Sequence, residues 1–241
     1  MNILAIGNSF SQDATAYLHG IAHNKDEKLY VVNLYIGGCS LERHFRNMHS
    51  EERAYDLQVN GSCTTFKISL KEALLDRAWD VITLQQASPK SPDYETYQPY
   101  LSELAAYARR LCPKARLVIH QTWAYEDGST RLEALDYMTS TEMLHDVKAA
   151  YEKAAVAIDA DDLIPSGELF SMLLDSGIEK LHRDTFHASL GVGRYALALL
   201  WYAVLTGNSV EDDDFADLAD YMSDEDRETV IDCIGELLEK E

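Results

Sequence analysis

Asn2-Ile3-Leu4-Ala5-Ile6-Gly7-Asn8-Ser9-Phe10-Ser11 opens the chain with a short apolar run, a glycine and a polar turn, and residues of helical period follow at once. A run of that length, bounded by turn-forming residues, reads as a buried strand, and the helical segment after it reads as a crossover. The same succession recurs along the chain. Leu29–Tyr35, Trp79–Leu84 and Arg116–His120 read as further strands, with another expected near Ala155–Ile158. Between them, Asp13–His23, Leu41–Arg53, Ser69–Arg77, Tyr97–Leu111 and Ala134–Ala154 carry apolar residues three and four apart, the spacing of helices with one buried face. Buried strands alternating with helices predict an α/β fold, a parallel sheet covered on both faces.

Two segments depart from that rhythm. Tyr55–Val59 and Ser62–Ile68 flank Asn60-Gly61, a favoured two-residue hairpin turn, so a small hairpin is expected beside the main sheet. Leu190–Leu205 is strongly apolar and reads as a helix packed on the sheet, ended by Gly207-Asn208-Ser209. From Glu211 onward the composition turns acidic, with Asp212-Asp213-Asp214 and an amphipathic stretch over Asp224–Leu238. The reading therefore divides the chain into a main domain over 1–210 and an acidic C-terminal helical extension over 211–241.

With 241 residues, 46% of them hydrophobic, the chain can bury one substantial core. Its 41 acidic against 21 basic residues give a net charge of −20, which repels a nucleic-acid backbone or an anionic membrane surface. Neither is expected as a partner. No stretch approaches the roughly 18 consecutive apolar residues of a membrane span. The start lacks the basic and long apolar regions of a secretory leader, so the sequence as written is expected in the cytoplasm, or in the periplasm or medium if a leader was removed. Cys39, Cys63, Cys112 and Cys233 lie far apart without a CxxC pair and suggest neither a zinc site nor a disulfide framework. His44 with His49, and His182 with His187, lack the i, i+4 spacing that puts two imidazoles on one helical face, so no metal and no cofactor are expected.

Chemistry gathers at the strand ends. Ser9 follows the first strand and precedes a helix, where an open α/β sheet exposes a side chain and where helix-start N–H groups can meet a developing negative charge. Capping of that helix by Ser9 or Ser11 is the plainer alternative. A serine nucleophile needs a base and a group that orients the base. His182-Arg183-Asp184-Thr185-Phe186-His187 offers both, with Asp184 three residues before His187. His120 is the rival base, without a carboxylate at comparable spacing. It begins His120-Gln121-Thr122-Trp123-Ala124-Tyr125, whose Trp123 and Tyr125 could stack on a substrate or anchor packing.

Taken together, these blocks resemble the SGNH or GDSL-like hydrolases, particularly a divergent bacterial branch related to carbohydrate esterases. Gly7-Asn8-Ser9-Phe10-Ser11 looks like the nucleophile block with Asn8 in place of the usual aspartate, and Asp184-Thr185-Phe186-His187 matches the late DxxH block. Ile36-Gly37-Gly38-Cys39-Ser40 looks like the glycine block. The likeness spans roughly residues 1 to 205, in family order.

The resemblance implies a flavodoxin-like three-layer α/β/α sandwich and a serine esterase without metal. Ser9 would attack an acyl carbonyl, His187 would serve as base and then acid, and Asp184 would orient it. The backbone N–H groups of Ser9 and Gly38 would form an oxyanion hole with a side-chain donor. Where the family has glycine and then asparagine, this chain has Leu84-Gln85-Gln86-Ala87-Ser88, so Gln86 is the first candidate for that donor and Gln85 the second. Gln85, Trp123 and Tyr125 are the candidate substrate contacts. The implied substrate is a short acyl ester, acetyl above all, on a carbohydrate or similar small molecule. A lipase or thioesterase, or a silent glycan- or peptide-binding module on the same fold, are the alternatives. The oligomeric state is left open.

Overall fold

The computed structural model describes residues 1–239. Strand β1 (Asn2–Ile6) leads into helices α1 (Ser9–Thr15) and α2 (Leu18–Asn24), then β2 (Tyr30–Tyr35) and α3 (Leu41–Ser50). The hairpin β3 (Tyr55–Val59) and β4 (Ser62–Ile68) follows, with α4 (Leu70–Leu75), β5 (Val81–Leu84), α5 (Tyr100–Leu111) and β6 (Arg116–His120). The chain continues through α6 (Thr130–Glu133), α7 (Ser140–Ala157), β7 (Asp162–Ile164), α8 (Ser166–Asp175), α9 (Val192–Thr206) and α10 (Asp224–Glu239).

The seven strands form one sheet in the order β4-β3-β2-β1-β5-β6-β7. The five strands β2-β1-β5-β6-β7 are parallel, and the hairpin extends that sheet antiparallel to β2. Its turn residues Asn60 (φ 51°) and Gly61 (φ 78°) are both left-handed, as a two-residue hairpin turn demands. The hairpin is thus an edge of the main sheet, where the sequence suggested a unit beside it. Helices α1, α2 and α9 pack with one another as one layer, and α3, α4 and α5 as another, which gives the expected α/β/α sandwich.

Chain order reverses at β1: β2 lies on one side of it and β5 on the other. In open α/β sheets the crevice beyond the carboxyl ends of the strands at such a reversal receives the ligand. Ser9 follows β1 directly and therefore sits at that crevice.

Several sequence expectations are corrected. Asp13–His23 is the end of one helix and the start of another, broken at Ala16-Tyr17. The helix predicted to reach Arg53 stops at Ser50, where Glu51 turns left-handed at φ 53°. The Tyr97 helix starts at Tyr100, beyond Pro99, and the segment predicted as one helix over Ala134–Ala154 is α7, preceded by the single turn α6. Ala155–Ile158 is no strand: Ala155–Ala157 continue α7 and Val156 is 83% exposed. The fifth parallel strand is instead Asp162–Ile164, three residues long.

Helix α9 is buried nearly all round, from Tyr195 to Ala203, which is why its sequence is almost continuously apolar. The segment after Glu211 folds back on this core. Asp213 is buried and accepts from the Tyr195 hydroxyl at 2.7 Å, and α10 packs against α8 and α9 through Val230, Ile234 and Leu237. Residues 240 and 241 of the predicted extension lie outside the described residues. Among the described residues no helix is long and apolar enough to cross a membrane, and no group of three or more His, Cys, Asp or Glu side chains could hold a metal ion.

Candidate active site

The turn that carries Ser9 is fixed from below. A Cβ at Gly7 would lie 2.4 Å from the Ser11 hydroxyl and 2.9 Å from Gln85 Cδ, so any larger residue here would have to displace Ser11 and Gln85, the side chains that hold the turn. Asn8 caps α1: its side-chain oxygen accepts from Phe10 N–H at 2.9 Å, while the Ser11 hydroxyl accepts from Asn8 N–H at 3.0 Å. This reciprocal cap satisfies two orphan donors without using Ser9. The capping alternative therefore applies to Ser11, and the Ser9 hydroxyl is left to another partner.

Gln85 holds Asn8 in place, donating from Nε2 to Asn8 Oδ1 at 2.9 Å. Its Oε1 lies 2.7 Å from His120 Nδ1, and His120 Nε2 lies 3.1 Å from the Ser166 hydroxyl. An amide oxygen only accepts, so Nδ1 carries the hydrogen and Nε2 accepts from Ser166. Burial pushes the His120 imidazole down to about 3, which keeps it neutral. With both ring nitrogens engaged in the core, the rival base is a structural post beneath the nucleophile.

His187 meets Ser9 from the far end of the chain. Its Nε2 lies 2.8 Å from Ser9 Oγ, and its Nδ1 lies 2.8 Å from Asp184 Oδ2. Asp184 Oδ1 also accepts the His187 backbone N–H at 2.9 Å, so the carboxylate grips both ends of the residue it orients. Burial alone would raise the Asp184 carboxyl, but the hydrogen bonds from the His187 ring and backbone outweigh it and hold the group below its ordinary value. The short loop between them turns at Thr185, with φ 71°. It is pinned by Glu126 N–H on Thr185 O at 2.8 Å and by Trp123 Nε1 on Phe186 O at 2.8 Å.

A second carboxylate ties this loop to the nucleophile's helix. Asp13, with a wholly buried side chain, accepts from Arg183 at 2.9 and 3.0 Å, from Arg194 Nε at 2.8 Å and from Ala188 N–H at 3.1 Å. Sequence reading missed it, although a carboxylate between Phe10 and Ala14 on a buried helical face is a charge that must be paired.

Above Ser9 opens a cleft of about 360 Å³, whose walls include Tyr35, Gly38, Ser88, Tyr125, Arg131 and Phe186. Gly38 is exposed with φ 62°, and Ser9, as the first residue of α1, has a backbone N–H without an intrahelical acceptor. Both predicted backbone donors thus border the cleft. Gln86 does not. Its oxygen accepts from the backbone N–H groups of Leu41 at 3.0 Å and Ala87 at 2.9 Å, and its nitrogen donates to Thr96 O at 3.0 Å. It is corrected to a fully committed core amide.

The second candidate donor, Gln85, is corrected likewise, since it supports Asn8 and lines no cleft wall. Trp123 is wholly buried, stacked on Phe10 with ring centroids 4.1 Å apart, and props the site from below without touching the cleft. Tyr125 does line the cleft, its hydroxyl 2.9 Å from that of Ser88. Ser88 and Arg131 were not singled out in the sequence, because only the folded loops after β5 and β6 bring them beside Ser9.

The model of a family described as a domain of unknown function, DUF4886, matches residues 2–226. The structure of a DUF4886 family protein from Bacteroides uniformis is 32% identical, covers 99% of this chain and 94% of its own, and superposes with a TM-score of 0.91. A putative SGNH hydrolase from Slackia heliotrinireducens is 23% identical over 85% of this chain and 98% of its own, with a TM-score of 0.62. The psychrotrophic esterase EstA from Pseudoalteromonas is 10% identical over 86% and 97%, with a TM-score of 0.54. The fold is thus that of the SGNH and GDSL-like hydrolases. No curated protein matches the chain by sequence.

Proposed function

We propose that this chain, which belongs to the DUF4886 family, is a serine esterase whose nucleophile is Ser9. The observation that carries the reading is the unbroken line from Asp184 through His187 to Ser9, with both links at 2.8 Å. In this scheme His187 Nδ1–H donates to Asp184, which leaves Nε2 unprotonated and able to accept the Ser9 proton. Ser9 Oγ then bonds to the acyl carbon of the substrate. The carbonyl oxygen takes the negative charge and turns to the N–H groups of Ser9 and Gly38, each donor contributing about 3 kcal/mol when aimed at the transition state. His187 returns the proton to the departing alcohol oxygen, leaving the acyl group on Ser9. A water gives its proton to His187 and its oxygen to the acyl carbon, and the acid leaves as Ser9 recovers its hydrogen.

The cleft favours a short acyl group on a polar alcohol. It is small, and its walls pair the aromatic rings of Tyr35, Tyr125 and Phe186 with hydroxyl and guanidinium groups, a mixture suited to a carbohydrate and unsuited to a long hydrocarbon. Hydrolysis of aryl acetate, butyrate and octanoate by wild type and Ser9→Ala tests this. The reading expects acetate to be preferred and the variant to lose on the order of 10⁴-fold or more in kcat. Equal rates in the two proteins would refute it.

A further inference from the structure

The chain carries a net charge of −20, yet among the described residues the charged side chains that wall the cleft are two arginines, Arg131 and Arg183, with no carboxylate in the lining. Arg183 is committed to the buried Asp13, a carboxylate it shares with Arg194. Arg131, in the single turn α6, is exposed and makes no ion pair among the described residues, although Glu126 and Glu133 are close to it in sequence. Its guanidinium carbon lies over the Phe186 ring, 3.9 Å from the centroid, and Phe186 in turn lies against the His187 ring with centroids 3.8 Å apart. A guanidinium stacked on a ring keeps its edge free, and that edge is the fork that pairs with an oxyanion.

We infer that Arg131 is a specificity residue which binds an anionic oxygen group, carboxylate or phosphate, carried by the alcohol part of the ester. The inference rests on the esterase reading and narrows its substrate to acylated alcohols or sugars that bear such an acid. Arg131 and Tyr125 line the same cleft, and because the Tyr125 hydroxyl is hydrogen-bonded to that of Ser88, one of these two hydroxyls keeps a hydrogen to donate to the bound acid. The ring contact restrains the guanidinium, whose planar fork offers paired donors that a lysine ammonium lacks.

The test uses three phenyl acetates matched in shape, with a meta carboxylate, a meta carboxamide or a meta trimethylammonium group, each rate divided by that of hydroxide-catalysed hydrolysis. A meta phosphate ester as a fourth compound distinguishes the two acids. Wild type is expected to favour at least one of the anions over the carboxamide by on the order of tenfold in kcat/KM, and to disfavour the cation. Arg131→Gln should abolish that ratio, Arg131→Lys should retain part of it, and added salt should shrink it in wild type. Ser9-dependent turnover with no preference for either anion, or a preference that survives Arg131→Gln, overturns this inference and leaves the esterase standing. Absence of Ser9-dependent turnover of all four compounds overturns the esterase reading and this inference with it.

Discussion

Arg183 donates to both carboxylate oxygens of Asp13, at 2.9 and 3.0 Å, and so joins the residue before Asp184 to the helix that begins with Ser9. Nucleophile and base lie 178 residues apart in the chain. Their separation is therefore set by this buried contact more than by any local geometry. Asp13 stands one helical turn after Ser9, and Ala188 N–H, next to His187, bonds the same carboxylate at 3.1 Å.

Asp13→Asn should consequently damage stability and rate together. Removing one partner of a buried, multiply bonded charge pair leaves the guanidinium groups of Arg183 and Arg194 uncompensated, at a cost of about 3 kcal/mol or more. A displacement of His187 on the scale of an ångström would lower kcat on the order of 10²-fold. Urea unfolding and ester hydrolysis measured on the same preparation check both effects. Full activity in a destabilised protein would show that Asp13 does not set the distance between His187 and Ser9.

Gln86→Leu separates a core amide from an oxyanion donor. The substitution strands the N–H groups of Leu41 and Ala87, each costing about 1 to 3 kcal/mol when buried and unpaired. The midpoint of thermal unfolding should fall. At temperatures where the variant remains folded, kcat should stay within about threefold of wild type, since loss of a true oxyanion donor costs about 10² or more. A loss of that size in the folded variant would restore Gln86 to the oxyanion hole.

Asp184 titrates below its ordinary value of 3.8 because His187 donates to it from both ring and backbone, against the upward push of burial. His187→Ala removes the ring donor and should move the carboxyl upward. Carbon-13 NMR of the Asp184 carboxyl follows this directly. The sign for stability follows: a depressed folded value contributes stability above the unfolded pKa, and this is lost as pH falls through the folded one. With the Asp184 side chain 45% exposed, that contribution is small, and an unchanged titration in His187→Ala would contradict the pairing.

How far the sequence foretold this molecule depends on what each signal encodes. β1 and β6 fall where the apolar runs of Asn2–Ile6 and Arg116–His120 place them, because a buried parallel strand needs apolar residues on both faces. β7 escaped notice since three residues beginning with Asp162 carry too little pattern, while the apolar end of α7 imitated a strand. Helix α8 was missed although Leu169, Phe170 and Leu173 supply its buried face. Ser9, Asp184 and His187 were legible as residue types in a recurring order. The fates of Gln85, Gln86 and Trp123 were not, because each depends on which neighbour reaches its polar atoms first: Asn8 and His120 for Gln85, Leu41 and Thr96 for Gln86, and Phe186 for Trp123.

The central claim is that Ser9 is a nucleophile activated by His187, and the mass of the intact protein after exposure to a fluorophosphonate tests it without knowledge of the substrate. The geometry predicts a single adduct on wild type, located at Ser9, absent from Ser9→Ala and lost or greatly slowed in His187→Ala. A folded wild-type protein that forms no adduct, or an adduct that persists in Ser9→Ala, would contradict it.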